Sequence, residues 1–212
     1  MTPRHRLAIL AVVALAPAYL NDFLYMRAES VFDWLSADYG SKLLIVALVL
    51  AIPDTRQAVA GAWDRSIFAR ADRIQLAAWS VAVAGLTVTA FIYLKPPLDA
   101  LAPKMALFDY PDIDDANVRL FDLTAGLVLT AVAEELGFRA LVGRVLRELG
   151  CGTLATVLLS ALAFSLIHWS NGLGSLGVTY LAGVLLAALY IRARSLWPAV
   201  AAHYLADLVL FL

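Results

Sequence analysis

Seven stretches of this chain are apolar for long enough to cross, or nearly cross, a lipid bilayer: about 7–25, 39–53, 74–95, 118–142, 152–170, 174–191 and 195–212. A helical span needs about 20 such residues, with about 17–25 tolerated. Lipid offers the backbone no hydrogen-bond partner, so segments of this kind fold as helices. The 212-residue chain is 62% hydrophobic and 16% charged, whereas a soluble domain is about half apolar and about a quarter charged. The fold expected is all-α: a polytopic transmembrane helix bundle of about seven helices, one structural domain in which residues 1–117 precede a distinct set of helices at 118–212. The second stretch is short, and either begins earlier, near Val31, or enters only part way.

Charge placement sets the orientation. With a cytoplasmic N-terminus, Arg4, Arg6, Arg56, Arg65, Arg70, Arg73, Arg139, Arg144, Arg147, Arg192 and Arg194 fall on the cytoplasmic side. Arg27, Lys42, Lys95, Lys104 and Arg119 fall on the other. That bias obeys the positive-inside rule. The start resembles a signal peptide, but Pro17 directly follows Ala14-Leu15-Ala16 and apolar residues resume, so an uncleaved first helix is expected. Residues 54–73, with Trp63 and Phe68, are expected to form an interfacial helix on the cytoplasmic side. Residues 96–117 carry Pro96, Pro97, Pro103 and Pro111 with Asp109, Asp112, Asp114 and Asp115, and read as an extracytoplasmic loop. The acid spacing lacks the pattern of calcium-binding loops; Asp114 or Asp115 is placed to cap the helix that follows. A net charge of −1 gives no sign of a nucleic-acid partner. The lone Cys151 excludes an intrachain disulfide framework and a cysteine zinc cluster.

Within the fourth stretch stands Ala131-Val132-Ala133-Glu134-Glu135-Leu136-Gly137-Phe138-Arg139. One ionisable side chain at mid-bilayer costs about 2.5–3.5 kcal/mol on insertion scales, so three need an internal partner or a polar cavity. Glu135 and Arg139 are four apart and pair on one helix face. Gly150-Cys151-Gly152 suits a helix stop and tight reversal. Glu134 lies 17 residues before Cys151 and His168 lies 17 after it. Both therefore sit roughly 25 Å from the turn, level on antiparallel neighbours. His203 lies nine residues beyond Arg194, and Glu134 ten before Arg144, which places both at about 13–15 Å from the basic boundary. Asp207 lies four residues after His203 and is spaced to orient its imidazole or share a water. The expectation is a wet hollow, reached from the cytosol, that holds Glu134, His168 and His203. Taken alone, His168 beside Trp169, Ser170 and Asn171 reads equally as an interfacial histidine, and Arg139 equally as a counter-ion.

These residues carry a resemblance. Glu134-Glu135-x-x-x-Arg139, Phe164-x-x-x-His168 and His203-x-x-x-Asp207 resemble, in order, the motifs of the CAAX protease and bacteriocin-processing family (CPBP or Abi), which includes the type II CAAX prenyl endopeptidases. The resemblance covers roughly residues 118–212. Gly137 stands where a bulky apolar residue is common, Ala140 where glycine is common, and Asp207 where asparagine is frequent. The resemblance implies a multi-pass peptidase that cuts a membrane-associated or lipidated peptide inside the membrane. Glu134 would activate water, His168 would position it or stabilise charge, and His203 with Asp207 would complete the pocket. Arg139 would balance Glu135. Desolvation makes a carboxylate a stronger base, and amide hydrolysis needs both a base and donors for the oxyanion. No cofactor is expected. A zinc ion on Glu134, His168 and His203 is the competing chemistry, although no HExxH is present. A non-enzymatic scaffold or partner subunit is the alternative from a different class. A proton-relay transporter is disfavoured because paired halves are missing. Short members of the family accompany exosortase systems, which suggests such a partner system and a bacterial inner membrane.

Overall fold

The computed structural model describes residues 1–69, 72–108 and 110–212, without the side chain of Phe68. Arg70, Asp109 and the Phe68 side chain, all used in the sequence reading, lie outside the described residues. The described residues form an all-α bundle.

Helix α1 (Pro3–Tyr25) and α2 (Val31–Ala51) make the first hairpin. The second stretch starts at Val31, its earlier alternative. The Ser30 hydroxyl oxygen accepts the Asp33 N–H at 3.1 Å, so a cap begins the helix there. This start moves Lys42 from the outer end of the expected stretch to mid-helix, where it is buried and paired with Asp38. Its expected place among the extracytoplasmic basic residues is therefore corrected.

The interfacial helix expected over 54–73 is not one helix. Its described residues form α3 (Pro53–Val59) and a 3-10 turn over Arg65–Ala69. Asp64 Oδ1 accepts the Ser66 N–H at 2.9 Å, a local turn that competes with helix propagation. Trp63 rests edge-on to Trp197, 5.0 Å between centroids.

Helix α4 (Arg73–Leu101) runs through Pro96 and Pro97, which were expected in the loop. Its last turns are held by the Lys95–Asp99 pair at 2.7 Å, and Asp99 also accepts the Gly174 N–H at 2.7 Å. The loop is thus shorter, residues 102–115. The Leu107 N–H donates to the Ser170 carbonyl at 2.8 Å and pins the loop across the bundle. Asp115 caps the next helix as expected, accepting from the Asn117 and Val118 N–H groups at 2.9 Å each.

Residues 116–148 form one helical run with two π-helical stretches. Helix α5 (Ala116–Phe121) passes through the π stretch Asp122–Gly126 into α6 (Leu127–Glu134). A second π stretch, Glu135–Val142, leads into α7 (Gly143–Glu148). After Gly150, at φ 94°, the chain reverses into α8 (Thr153–Ser165), which tightens to a 3-10 turn over Leu166–His168. Helices α9 (Leu173–Ala193) and α10 (Trp197–Phe211) complete the bundle.

Among the described residues, four helices are long and apolar enough to cross a membrane: α1, α2, α4 and α9. The other three expected spans are helical but broken or short. Interrupted helices are tolerated at membrane depth where they face protein or a cavity, and these three surround the cluster described next. Large apolar side chains such as Val12, Phe32, Trp79 and Leu154 face outward on the lipid-compatible surface. The core packs Leu15, Ile45, Leu136, Phe138, Leu141 and Phe164 around the second π stretch. Gly137 makes this possible, since a Cβ there would lie 2.6 Å from Leu15 Cδ2.

Candidate active site

The second π stretch begins at Glu135, directly after Glu134. Such stretches recur at functional positions because the extra residue redirects side chains. Here the two adjacent carboxylates part company. Glu135 is fully buried and its Oε2 lies 3.1 Å from Arg139 Nε. That contact is an ion pair without hydrogen-bond alignment, for neither atom finds an aligned partner. The guanidinium instead lies 4.2 Å from the centroid of the Phe164 ring, an attraction that strengthens when water is excluded.

His203 joins the two glutamates from α10. Its Nδ1 is 2.9 Å from Glu135 Oε1. With the proton on Nδ1, the ring donates to that carboxylate and its orientation is fixed. Nε2 then faces the opposite way, 3.6 Å from Glu134 Oε2 and 3.4 Å from Asp207 Oδ2. From α8, His168 Nδ1 lies 3.3 Å from the Phe164 carbonyl. The Phe164 ring stands between both imidazoles, 5.2 Å from His168 and 5.9 Å from His203, edge-on to each.

Glu134, His168, His203 and Asp207 line one cavity of about 410 Å³. All six residues singled out from the sequence therefore gather in one region, but they divide. Four face the cavity, while Glu135 and Arg139 stand behind its wall. The direction of the hollow corrects the sequence reading. It was expected to open toward the cytosolic, arginine-bearing end, where Arg6 meets Asp54 at 2.5 Å and Arg192 meets Asp72 at 3.8 Å. It extends instead toward Trp34, Tyr110 and Phe211, at the end closed by the 102–115 loop. Tyr110 packs at 4.4 Å from Trp34 and 4.8 Å from Phe211 and forms an aromatic rim. Burial, with Asp122 beside it, holds the Tyr110 phenol well above its ordinary pKa, so it stays a donor.

Several cavity residues escaped the sequence reading. Asp38 pairs with Lys42 and accepts from the Tyr25 hydroxyl. Asp22 accepts from the Ser170 hydroxyl. Asp122 accepts from Tyr39 and Tyr110, at 2.6 Å each. The signal was present: Asp22 lies inside the first apolar stretch, and Asp38-x-x-x-Lys42 has the same pair spacing as Glu135-x-x-x-Arg139.

Among the described residues, no three His, Cys, Asp or Glu side chains converge in a metal-holding arrangement. His203 turns Nδ1 to Glu135 at 2.9 Å and Nε2 to Glu134 and Asp207 at 3.6 and 3.4 Å.

No curated protein and no solved structure matches the chain. Residues 116–209, from the start of α5 to near the end of α10 and so spanning every residue of the glutamate–histidine cluster, match the family model for Rce1-like type II CAAX prenyl endopeptidases.

Proposed function

We propose that this protein is an intramembrane endopeptidase that hydrolyses a peptide bond in a membrane-associated substrate, with Glu134 as the base that activates water. The observation that carries this reading is the division of the acid pair: Glu134 lines the cavity and Glu135 is sealed behind it with Arg139. A base must reach water, and a neighbouring charge must be neutralised for the base to work in a dry site. In this reading Glu135 fixes His203, whose Nε2 then meets the reacting groups beside Glu134 and Asp207. His168 offers its Nε2 from the opposite wall, because its Nδ1 is turned to the Phe164 carbonyl. The family match supports a lipidated peptide near its C-terminus as substrate. The aromatic rim and outward apolar faces suit a substrate delivered from lipid.

The chemistry proposed uses no metal. That no three such donors converge among the described residues supports this, and purified active protein is expected to keep its activity after chelation.

Glu134→Gln preserves shape and removes the base. Loss of a general base reduces turnover by about 10²–10⁴-fold. Peptides accumulating in cell membranes are compared between wild type and Glu134→Gln at equal protein level, together with cleavage of a farnesylated, internally quenched peptide by purified protein in liposomes. Full turnover by Glu134→Gln would leave the cluster a structural element, as in a membrane scaffold. Activity lost to chelator and restored by zinc would move the same residues to a metal mechanism.

A further inference from the structure

Peptide hydrolysis passes through a tetrahedral species with negative charge on the former carbonyl oxygen, and a donor must already stand where that charge develops. Most donors around Glu134 are committed. Nδ1 of His203 is turned to Glu135 and Nδ1 of His168 to the Phe164 carbonyl. The hydroxyls of Thr130, Ser175 and Thr179 donate to the carbonyls of Gly126, Asn171 and Ser175. Asp207, where an amide would donate, is an acceptor when ionised.

Lys42 differs. An ammonium carries three N–H donors, and among the described residues Asp38 is its one acceptor. Lys42 is buried, yet it lines the cavity with Glu134, His168, His203 and Asp207. Its height agrees as well. Tyr39 bonds Asp122 at 2.6 Å, and Ile45 Cγ2 lies 3.9 Å from where a Gly137 Cβ would stand, so α2 and the 116–148 run ascend together. Lys42 precedes Ile45 by three residues and Glu134 precedes Gly137 by three. Counted from the Ile45–Gly137 contact, the backbones of Lys42 and Glu134 stand at the same offset on helices that run the same way, and both side chains line the one cavity. Asp38 holds the lysine, and the Tyr25 hydroxyl donates to Asp38 while its ring stacks on Trp34 at 4.6 Å.

We propose that Lys42 is a catalytic residue whose ammonium receives the oxyanion, with Asp38 and Tyr25 as positioning residues; this rests on the reading of Glu134 as the base. Water adds to the carbonyl carbon as Glu134 takes one of its protons. The carbonyl π pair moves onto oxygen, where an N–H of Lys42 meets it. The pair then returns, the carbon–nitrogen bond breaks, and the departing nitrogen takes the proton held by Glu134. One water is consumed, and a carboxyl and an amine are formed.

The test uses the full chain in liposomes with the farnesylated, internally quenched peptide. Lys42→Met is expected to lower kcat by about 10²–10³-fold with KM changed by less than about threefold. Lys42→Arg, which keeps the charge on a bulkier, planar head, is expected to lose less kcat than Lys42→Met. Wild-type kcat in Lys42→Met, or an effect confined to KM or to membrane yield, overturns the assignment. Glu134→Gln is measured alongside. Full turnover there, or a wild-type chain that leaves the peptide uncut, removes the reading beneath. An inactive Glu134→Gln beside a fully active Lys42→Met removes this inference alone. Where Lys42→Met does not accumulate, Asp38→Asn/Lys42→Met leaves no unpaired charge; it is expected to accumulate with the same loss of kcat, and wild-type kcat there overturns the assignment equally.

Discussion

Two buried ion pairs, Glu135–Arg139 in the second π stretch and Asp38–Lys42 on α2, share the same four-residue spacing and meet different surroundings. The first is dry. Arg139 is 1% exposed, lies over Phe164, and does not line the cavity that holds Glu134. The second forms part of the cavity wall. The side chains suit the difference: a guanidinium is planar and stacks on rings, whereas an ammonium is a compact charge with movable donors. Spacing therefore does not tell a clamp from a reagent. What decides is whether the cation ends against a ring or against open space.

The largest expected effect comes from breaking the dry pair. Arg139→Ala leaves Glu135 buried with His203 as its remaining partner, and losing one partner of a buried pair costs about 3–5 kcal/mol. Membrane yield and thermal unfolding in detergent are expected to fall sharply, and the folded remainder to lose specific activity as well, because Glu135 beside the base is no longer neutralised by Arg139. The double variant Glu135→Gln/Arg139→Met removes both charges, and is expected to regain most of the yield. It weakens the carboxylate that holds His203 Nδ1, so its activity stays low. Wild-type stability in Arg139→Ala would erase the distinction between the pairs.

The dry pair was legible in the sequence and the wet one was not. Glu134, Glu135 and Arg139 interrupt a long apolar run, where charge is costly enough to demand an explanation. The hairpin at Cys151 and the depth of His203 then pointed to one cluster, and the contacts of His203 with Glu134, Glu135 and Asp207 show these groups together. Lys42 sends the same signal, but starting α2 at residue 39 placed it beside a loop, where a lysine needs no partner. The Ser30 cap that moves the start is a local feature overlooked beside the hydropathy. The π stretches and the direction of the cavity are tertiary outcomes. They depend on Leu15 closing on Gly137 and on the 102–115 loop lying across Ser170, and neither has a period in the sequence.

Gly137 sharpens the comparison at a smaller scale. It sits between Glu135 and Arg139, and its missing side chain admits Leu15 of α1. Gly137→Val pushes α1 away from the turn that aligns the dry pair, an overpacking worth about 1–3 kcal/mol. Thermal unfolding in detergent is expected to show the loss, and Leu15→Ala in the same chain to recover part of it by vacating the space. An unchanged melting temperature in Gly137→Val would mean that α1 is not closed on the π stretch.

The smallest expected effect is at Asp207. Its carboxylate is 3.4 Å from His203 Nε2, but the ring is already oriented through Nδ1 by Glu135 at 2.9 Å. Asp207→Asn keeps an oxygen for that contact and adds an amide donor to the cavity. Because Glu135 sets the imidazole and Lys42 is the proposed oxyanion donor, kcat is expected to change by less than about tenfold, a difference below about 1.4 kcal/mol. The informative measurement is the double variant with Lys42→Met. If the new amide donor reaches the oxyanion, Asp207→Asn recovers part of the turnover that Lys42→Met loses, which would place both groups on one reacting oxygen. Independent, multiplying losses would put Asp207 on the side of the dry pair, as a support for His203 alone.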